Sequence, residues 1–150
     1  MKRVFDLFIS AFLLILLFFP LVFLAIIVYF TSKGPVLHWS ERVGRDNTIF
    51  KMPKFRSMLI DTPLVATHLI DKPDVYFSSI GGLLRRYSLD ELPQLFSVLK
   101  GDMSLVGPRP ALSNQDDLIA LRKEKYVDKL LPGITGWAQI NGRDELSIPD

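Results

Sequence analysis

The 23 residues from Leu7 to Tyr29 contain no charge, and this run constrains the chain more than any other feature. A helix rises about 1.5 Å per residue, so roughly 20 apolar residues cross the hydrocarbon core of a bilayer. The run is long enough to span. It also exceeds the apolar core of a secretory signal, typically about 7–15 residues. Two details argue against a straight span. Pro20 lies near the middle, where it removes a backbone donor and clashes with the preceding turn. Lys2 and Arg3 precede the run and Lys33 follows it, and basic flanks are retained in the cytoplasm. A re-entrant hairpin over residues 1–32, broken at Pro20, satisfies both details. A kinked span satisfies the residues as well, because membrane helices tolerate proline.

The remaining residues, 33–150, suffice for one domain with one core. The absence of Cys excludes disulfides, thiol nucleophiles and Cys-based zinc sites, and the two His, at 38 and 68, make no His-rich metal motif. A net charge of +2 argues against nucleic acid as a partner. The distribution is more informative: between Lys33 and Arg56 six basic residues face two acidic ones, while Asp102 to Asp150 holds eight acids and six bases. The basic excess adjoins the apolar run. That suits anionic headgroups or a phosphorylated substrate, and a merely solvated basic face has the same composition.

Thr31 to Pro35 is a turn signal, and Val36 to Met58 reads as two short strands about Gly44-Arg45-Asp46-Asn47. Leu59 to Ser79, interrupted by Pro63 and Pro73, reads as loop with short helical pieces. Gly81 to Tyr87 predicts a short helix. Leu92, Leu95, Phe96 and Leu99 predict an amphipathic one, stopped by Lys100-Gly101. Ser113, with Asp116 three residues on, predicts a helix reaching about Leu131. The fold expected is α+β and mostly helical, with a short β element in the small domain.

Ser88-Leu89-Asp90-Glu91-Leu92-Pro93-Gln94-Leu95 is the segment richest in chemistry. Ser88 and Glu91 have capping-box spacing, so the two acids fit a purely structural helix start. Pro93 fits that register badly. If the helix starts at Pro93 instead, Asp90 and Glu91 fall in the preceding turn, free to act. Adjacent carboxylates repel and are easiest to keep ionised beside Arg85, Arg86 or a divalent cation such as Mg²⁺, which bridges oxygen ligands to phosphates. Arg109 stands between Pro108 and Pro110, whose rings restrict its backbone, as suits a guanidinium gripping phosphate or an ordinary Pro-rich turn. Lys54, Arg56 and Met58 share one side of a regular strand. Gly133 to Arg143 is rich in turn residues around Trp137, and a packed loop anchored by that Trp explains it without function.

In order along the chain, Phe5-Asp6-Leu7, Glu41-Arg42-Val43-Gly44, Lys54-Phe55-Arg56-Ser57-Met58, the Ser88–Leu95 segment, Lys100 to Pro110 and Pro132 to Arg143 together resemble the bacterial sugar transferases, the monotopic phosphoglycosyl transferases. The resemblance implies a re-entrant membrane helix over 1–32 and a cytoplasmic catalytic domain over 33–150, at the bacterial inner membrane. It implies transfer of a sugar 1-phosphate from a nucleoside diphosphate sugar, usually a UDP-sugar, to undecaprenyl phosphate, as the first step of a surface glycan. It further implies that Asp90 is the nucleophile and forms a covalent intermediate with release of UMP, that Glu91 is its partner, and that both face Mg²⁺. Arg85 and Arg109 are the implied phosphate binders, with Lys54, Arg56, Gln139 and Arg143 as further candidates. Membrane lipid, and a second copy of the chain, complete the expected partners. Family members usually continue for some tens of residues beyond the Asn-Gly-Arg motif, so a chain ending at Asp150 reads as truncated or shortened. Two other readings remain: a catalytically idle membrane module that docks a glycan-assembly partner, and a transferase that passes a bare sugar and releases UDP.

Overall fold

A computed structural model describes residues 1–32, 34–60, 62 and 73–141. Two helices, α1 (Lys2–Leu16) and α2 (Phe18–Thr31), occupy the apolar N-terminus. The chain bends by 64° between them. The break falls at Leu17 rather than at Pro20. Pro20 has no N–H to offer the carbonyl of Leu16 and its ring crowds that carbonyl, so the preceding helix stops one turn earlier. Hydrogen bonding resumes from Leu21 N to Leu17 O, 2.8 Å, and Pro20 becomes the third residue of α2, where a backbone donor has no intrahelical acceptor. Among the described residues no single helix is long and apolar enough to cross a membrane, although the bent pair together meets that test.

The two expected strands are present as β1 (Leu37–Val43) and β2 (Ile49–Phe55), antiparallel from Leu37 opposite Phe55 to Val43 opposite Ile49. After β2 come α3 (Gly81–Arg86) and α4 (Gln94–Lys100), then β3 (Ser104–Val106) and β4 (Ala111–Leu112). β4 adds to the free edge of β1. The chain continues through α5 (Asp116–Glu124), β5 (Gly133–Thr135), which pairs in parallel with β3, and α6 (Trp137–Ile140). The expected loop between Leu59 and Ser79 lies largely outside the described residues; within it Pro73–Tyr76 forms a 3-10 turn.

Alternation along β2 divides the core. Phe50 and Met52 pack with Val98 of α4 and Met103, joined by Leu105 and Ile134. Phe55, of opposite parity, packs with Val28 of α2 and Leu84 of α3. The apolar stripe expected on α4 is rotated. Its buried residues are Gln94, Leu95, Ser97 and Val98, whereas Phe96 is exposed, because the helix starts only at Gln94 and contacts both α1 and β2. α5 is also shorter than expected. Ser113 and Asn114 form a turn held by Leu112 N donating to Gln115 Oε1, and a left-handed Tyr126 (φ 57°) follows the helix instead of letting it reach Leu131.

The first turns of α1 are stitched to the domain by polar contacts. Arg3 donates to the carbonyls of Val98 (2.6 Å) and Leu99 (3.0 Å), capping the end of α4 where Gly101 (φ 106°) turns the chain. Asp6, buried, accepts from Ser104 Oγ at 2.7 Å and from Leu105 N at 3.3 Å, and Lys2 joins the same group. The opposite face of α1 is open: Phe5, Phe8, Phe12 and Ile15 recur at helical spacing and are exposed. β3 and β5 approach closely only because glycines stand at the crossing. A Cβ on Gly133 would lie 2.1 Å from Gly107 N, and one on Gly107 would lie 2.3 Å from Leu131 O.

Candidate functional site

Asp90 and Glu91 occupy a 3-10 turn, Leu89–Glu91, between α3 and α4. The register that begins the helix beyond Pro93 is therefore the one adopted, and the capping box is not: Ser88 makes no side-chain cap and is left-handed, φ 55°. A non-glycine residue there carries a conformational cost of about 1 kcal/mol, which the flanking helices α3 and α4 sustain. The turn presents the two acids in different settings. Asp90 is only 6% exposed, while Glu91 lines an open cleft and receives a 2.9 Å hydrogen bond from Lys54 Nζ of β2. Burial pushes the Asp90 carboxyl above the ordinary aspartate range; the positive charge of Lys54 opposes that rise, the negative charge of Glu91 adds to it, and Arg85 opposes it more weakly.

The cleft is open to solvent and is lined by Lys54, Glu91, Gln94, Arg109, Gln139 and Arg42, together with Met52 and Ile134. Gln139 arrives from α6, the short helix after β5, and its orientation follows from its bonds. Nε2 donates to the carbonyls of Gly133 (3.3 Å) and Ile134 (3.4 Å), which leaves Oε1 as a buried acceptor with no donor among the described residues. Arg109 reaches the cleft from the loop after β3. Its two prolines cannot join a strand ladder by N–H, and their carbonyls are held instead, Pro108 by Gly133 N (2.9 Å) and Pro110 by Arg42 Nη1 (3.2 Å).

Other expected residues fall elsewhere. Arg56 is not part of the cleft lining: its backbone N–H continues the β1–β2 ladder to Val36 O, and its Nε donates to Pro35 O at 2.9 Å. Arg85 lies beside Phe77, 5.5 Å above its ring, and donates to Met58 Sδ at 3.0 Å, close enough to Asp90 for its charge to be felt. Trp137 is 73% exposed, so it is not the buried anchor of its loop. Arg143 lies outside the described residues. Arg42 and Gln94 were not singled out as site residues from sequence. Arg42 sits in an ordinary basic strand, and Gln94 was hidden inside a helical pattern that ranks only apolar residues.

A group of three or more carboxylate or His ligands for a metal is absent among the described residues. Two adjacent carboxylates nonetheless fit Mg²⁺, which commonly takes only one or two protein carboxylates and completes its shell with water and substrate phosphate.

Comparison with known proteins adds to this geometry. The family model described as bacterial sugar transferase matches residues 1–150. The chain is 46% identical over 156 residues to an undecaprenyl-phosphate glucose phosphotransferase of Komagataeibacter xylinus, covering 99% of this chain and 29% of that protein. It is 44% identical to a UDP-glucose:undecaprenyl-phosphate glucose-1-phosphate transferase of Klebsiella pneumoniae, covering 94% of this chain and 31% of that one. An uncharacterized sugar transferase of Bacillus subtilis is 42% identical, with 98% of this chain and 71% of the relative covered. The chain thus spans about a third of the first two relatives.

Proposed function

This chain belongs to the bacterial sugar transferase family, and on that premise we propose that it transfers a sugar 1-phosphate from a UDP-sugar to undecaprenyl phosphate at the cytoplasmic face of the inner membrane. The observation that carries the reading is the convergence of Glu91, Lys54 and Arg109 at one cleft, with Asp90 buried next to Glu91 and within the field of Lys54, in a domain tied to an apolar helix pair. Both substrates are phosphates, and one is a lipid.

The chemistry follows from the two settings of the acids. An Asp90 Oδ attacks the phosphorus that bears the sugar; the bond to the oxygen of UMP breaks, and UMP leaves with that electron pair. An oxygen of undecaprenyl phosphate then attacks the same phosphorus and displaces the Asp90 carboxylate. Covalent catalysis of this kind divides one encounter of two bulky anions into two displacements at a shared centre. The buried position strips water from Asp90, which sharpens its carboxylate form as a nucleophile, and the charge of Lys54 favours that form against the rise that burial imposes. Arg109 and Arg85 complement the phosphates of the donor. Asp90 and Glu91 would hold Mg²⁺ in this reading, and the ion would supply positive charge to offset that of the diphosphate.

Re-entry of the hairpin is part of the proposal, supported by the anchoring of both its ends. Asp6 and Arg3 near the start bond to β3 and α4, and Val28 near the end packs on Phe55 and Leu84 of the same domain. A spanning segment needs its two ends on opposite faces of the bilayer, whereas both ends here meet the same domain. With 15 and 14 residues in its arms and a 64° bend, a symmetric V reaches a depth of about 11–12 Å at 1.5 Å per residue, within one leaflet.

Incubating the membrane-embedded chain with UDP-sugars, undecaprenyl phosphate and Mg²⁺ is expected to release UMP and leave a sugar-phosphate adduct on Asp90 when the lipid is withheld. An adduct mapped to Glu91 reverses the roles of the two acids. Release of UDP, or of no nucleotide from any donor, refutes the reaction.

A further inference from the structure

We propose that Arg42 is the positioning residue for Arg109, the clamp that fixes the Pro108–Pro110 loop to the strand pair carrying Lys54. The prolines on either side of Arg109 have no N–H to give to a sheet ladder. The loop is fixed by its proline carbonyls. One is taken by Gly133 N, a backbone bond that follows from the β3–β5 crossing, and the other by the Arg42 guanidinium. Arg42 is itself aimed by a second contact, Nε to Ser40 Oγ at 3.0 Å, two residues back on the same face of β1. Its position in the sheet makes this clamp informative. Arg42 lies opposite Phe50 and Leu112, so it touches all three strands of the β2-β1-β4 order, and it shares a sheet face with Lys54, which lies opposite His38.

A single frame results, running from Glu91 through Lys54 and β2 to β1, and from Arg42 through Pro110 to Arg109. It sets the spacing between the acid pair and the phosphate-gripping arginine. A guanidinium suits this task because its planar fork reaches two acceptors at once, whereas an ammonium holds one point. The inference rests on the proposed transfer for its kinetic readout and on nucleotide affinity for a readout free of it.

The test is a cycle on the full chain in lipid nanodiscs: unmodified protein, Arg42→Gln, Arg109→Gln and the double variant. Two quantities are read, kcat/KM for UMP release and the Kd of UDP by calorimetry. Arg42→Gln alone is expected to lower kcat/KM by about tenfold, the coupling usual between contacting groups of one network. In the Arg109→Gln background it lowers it by less than about twofold, because the residue being positioned is gone. UDP affinity follows the same non-additive pattern. Arg42→Lys stays nearer to Arg42→Gln than to the unmodified chain. Losses that multiply in the double variant overturn the proposal, and so does an Arg42→Lys chain that behaves as unmodified. Should Arg42→Gln fail to fold, Ser40→Ala removes only the second tether: a smaller loss that vanishes with Arg109→Gln supports the clamp, and an additive one refutes it. Absence of UMP release from the unmodified chain sinks the proposed reaction, while the UDP cycle still decides the role of Arg42.

Discussion

Replacing Lys54 with Met tests the centre of the site, because one side chain serves two acids there. Its ammonium lies 2.9 Å from Glu91 Oε1, and the two side chains are 18% and 19% exposed. Fully exposed pairs contribute about 0.2–1 kcal/mol, whereas removing one member of a buried pair costs about 3–5 kcal/mol because the other charge is stranded. At this intermediate burial the expected loss is about 1–3 kcal/mol. For a domain of this size that lowers the melting temperature by on the order of 5–10 °C. The second effect concerns Asp90. Burial raises its pKa, and Lys54 is the strongest influence opposing that rise. A carboxyl raised above its unfolded value contributes stability that is fully present below the ordinary aspartate pKa and is lost as pH rises through the folded value. Lys54→Met raises the folded value further. The acid limb of the rate profile therefore moves to higher pH, because the nucleophile ionises later. The assay is a pH-rate profile of UMP release between about pH 4 and 8, beside thermal unfolding in the same lipid or detergent across that range. Lys54→Arg keeps the charge and is expected to keep the acid limb. An unchanged limb together with an unchanged melting temperature for Lys54→Met would refute the electrostatic argument.

Asp90→Asn removes a desolvated charge while keeping its shape, so the variant should lose UMP release yet melt higher at neutral pH, by on the order of 1 kcal/mol in stability; equal or lower stability contradicts the burial argument. Val28→Ala deletes two methyl groups from the fully buried junction of α2 with Phe55 and Leu84, with an expected loss of about 1.5–2.5 kcal/mol by chemical denaturation, and a loss near zero means that α2 is not docked there. Gly133→Ala forces a Cβ to within 2.1 Å of Gly107 N and is expected to destabilise by more than about 3 kcal/mol, whereas a fully active, stable variant would show that β3 and β5 do not cross so closely.

Much of the architecture was legible in local chemistry. The β1–β2 pair is announced by two apolar-polar runs about Gly44-Arg45-Asp46-Asn47, and the end of α4 by Lys100-Gly101. Pro93 correctly signalled that Asp90 and Glu91 precede the helix, since a proline is excluded from a helix interior but welcome at its entry. Expectations failed where a nonlocal partner outweighed a local pattern. The stripe on α4 was misplaced because α1 covers a face that periodicity ranks as polar, and Arg56 stays out of the cleft lining because its guanidinium is taken by the Pro35 carbonyl.

The sequence by itself determined that this chain has a charge-free N-terminal run long enough for a membrane followed by one small α+β domain, and it marked Asp90, Glu91, Arg109 and Lys54 as candidate chemical groups, because charge-free length, proline positions and ordered motifs are properties of the linear chain. Only the tertiary structure decided that Asp90 is buried while Glu91 faces the cleft, that Arg56 is outside it, and that Arg42 holds the Arg109 loop. Those outcomes depend on burial and on contacts between residues up to 68 positions apart. Desolvation and long-range hydrogen bonds are absent from an unfolded chain and arise only when the core closes around them.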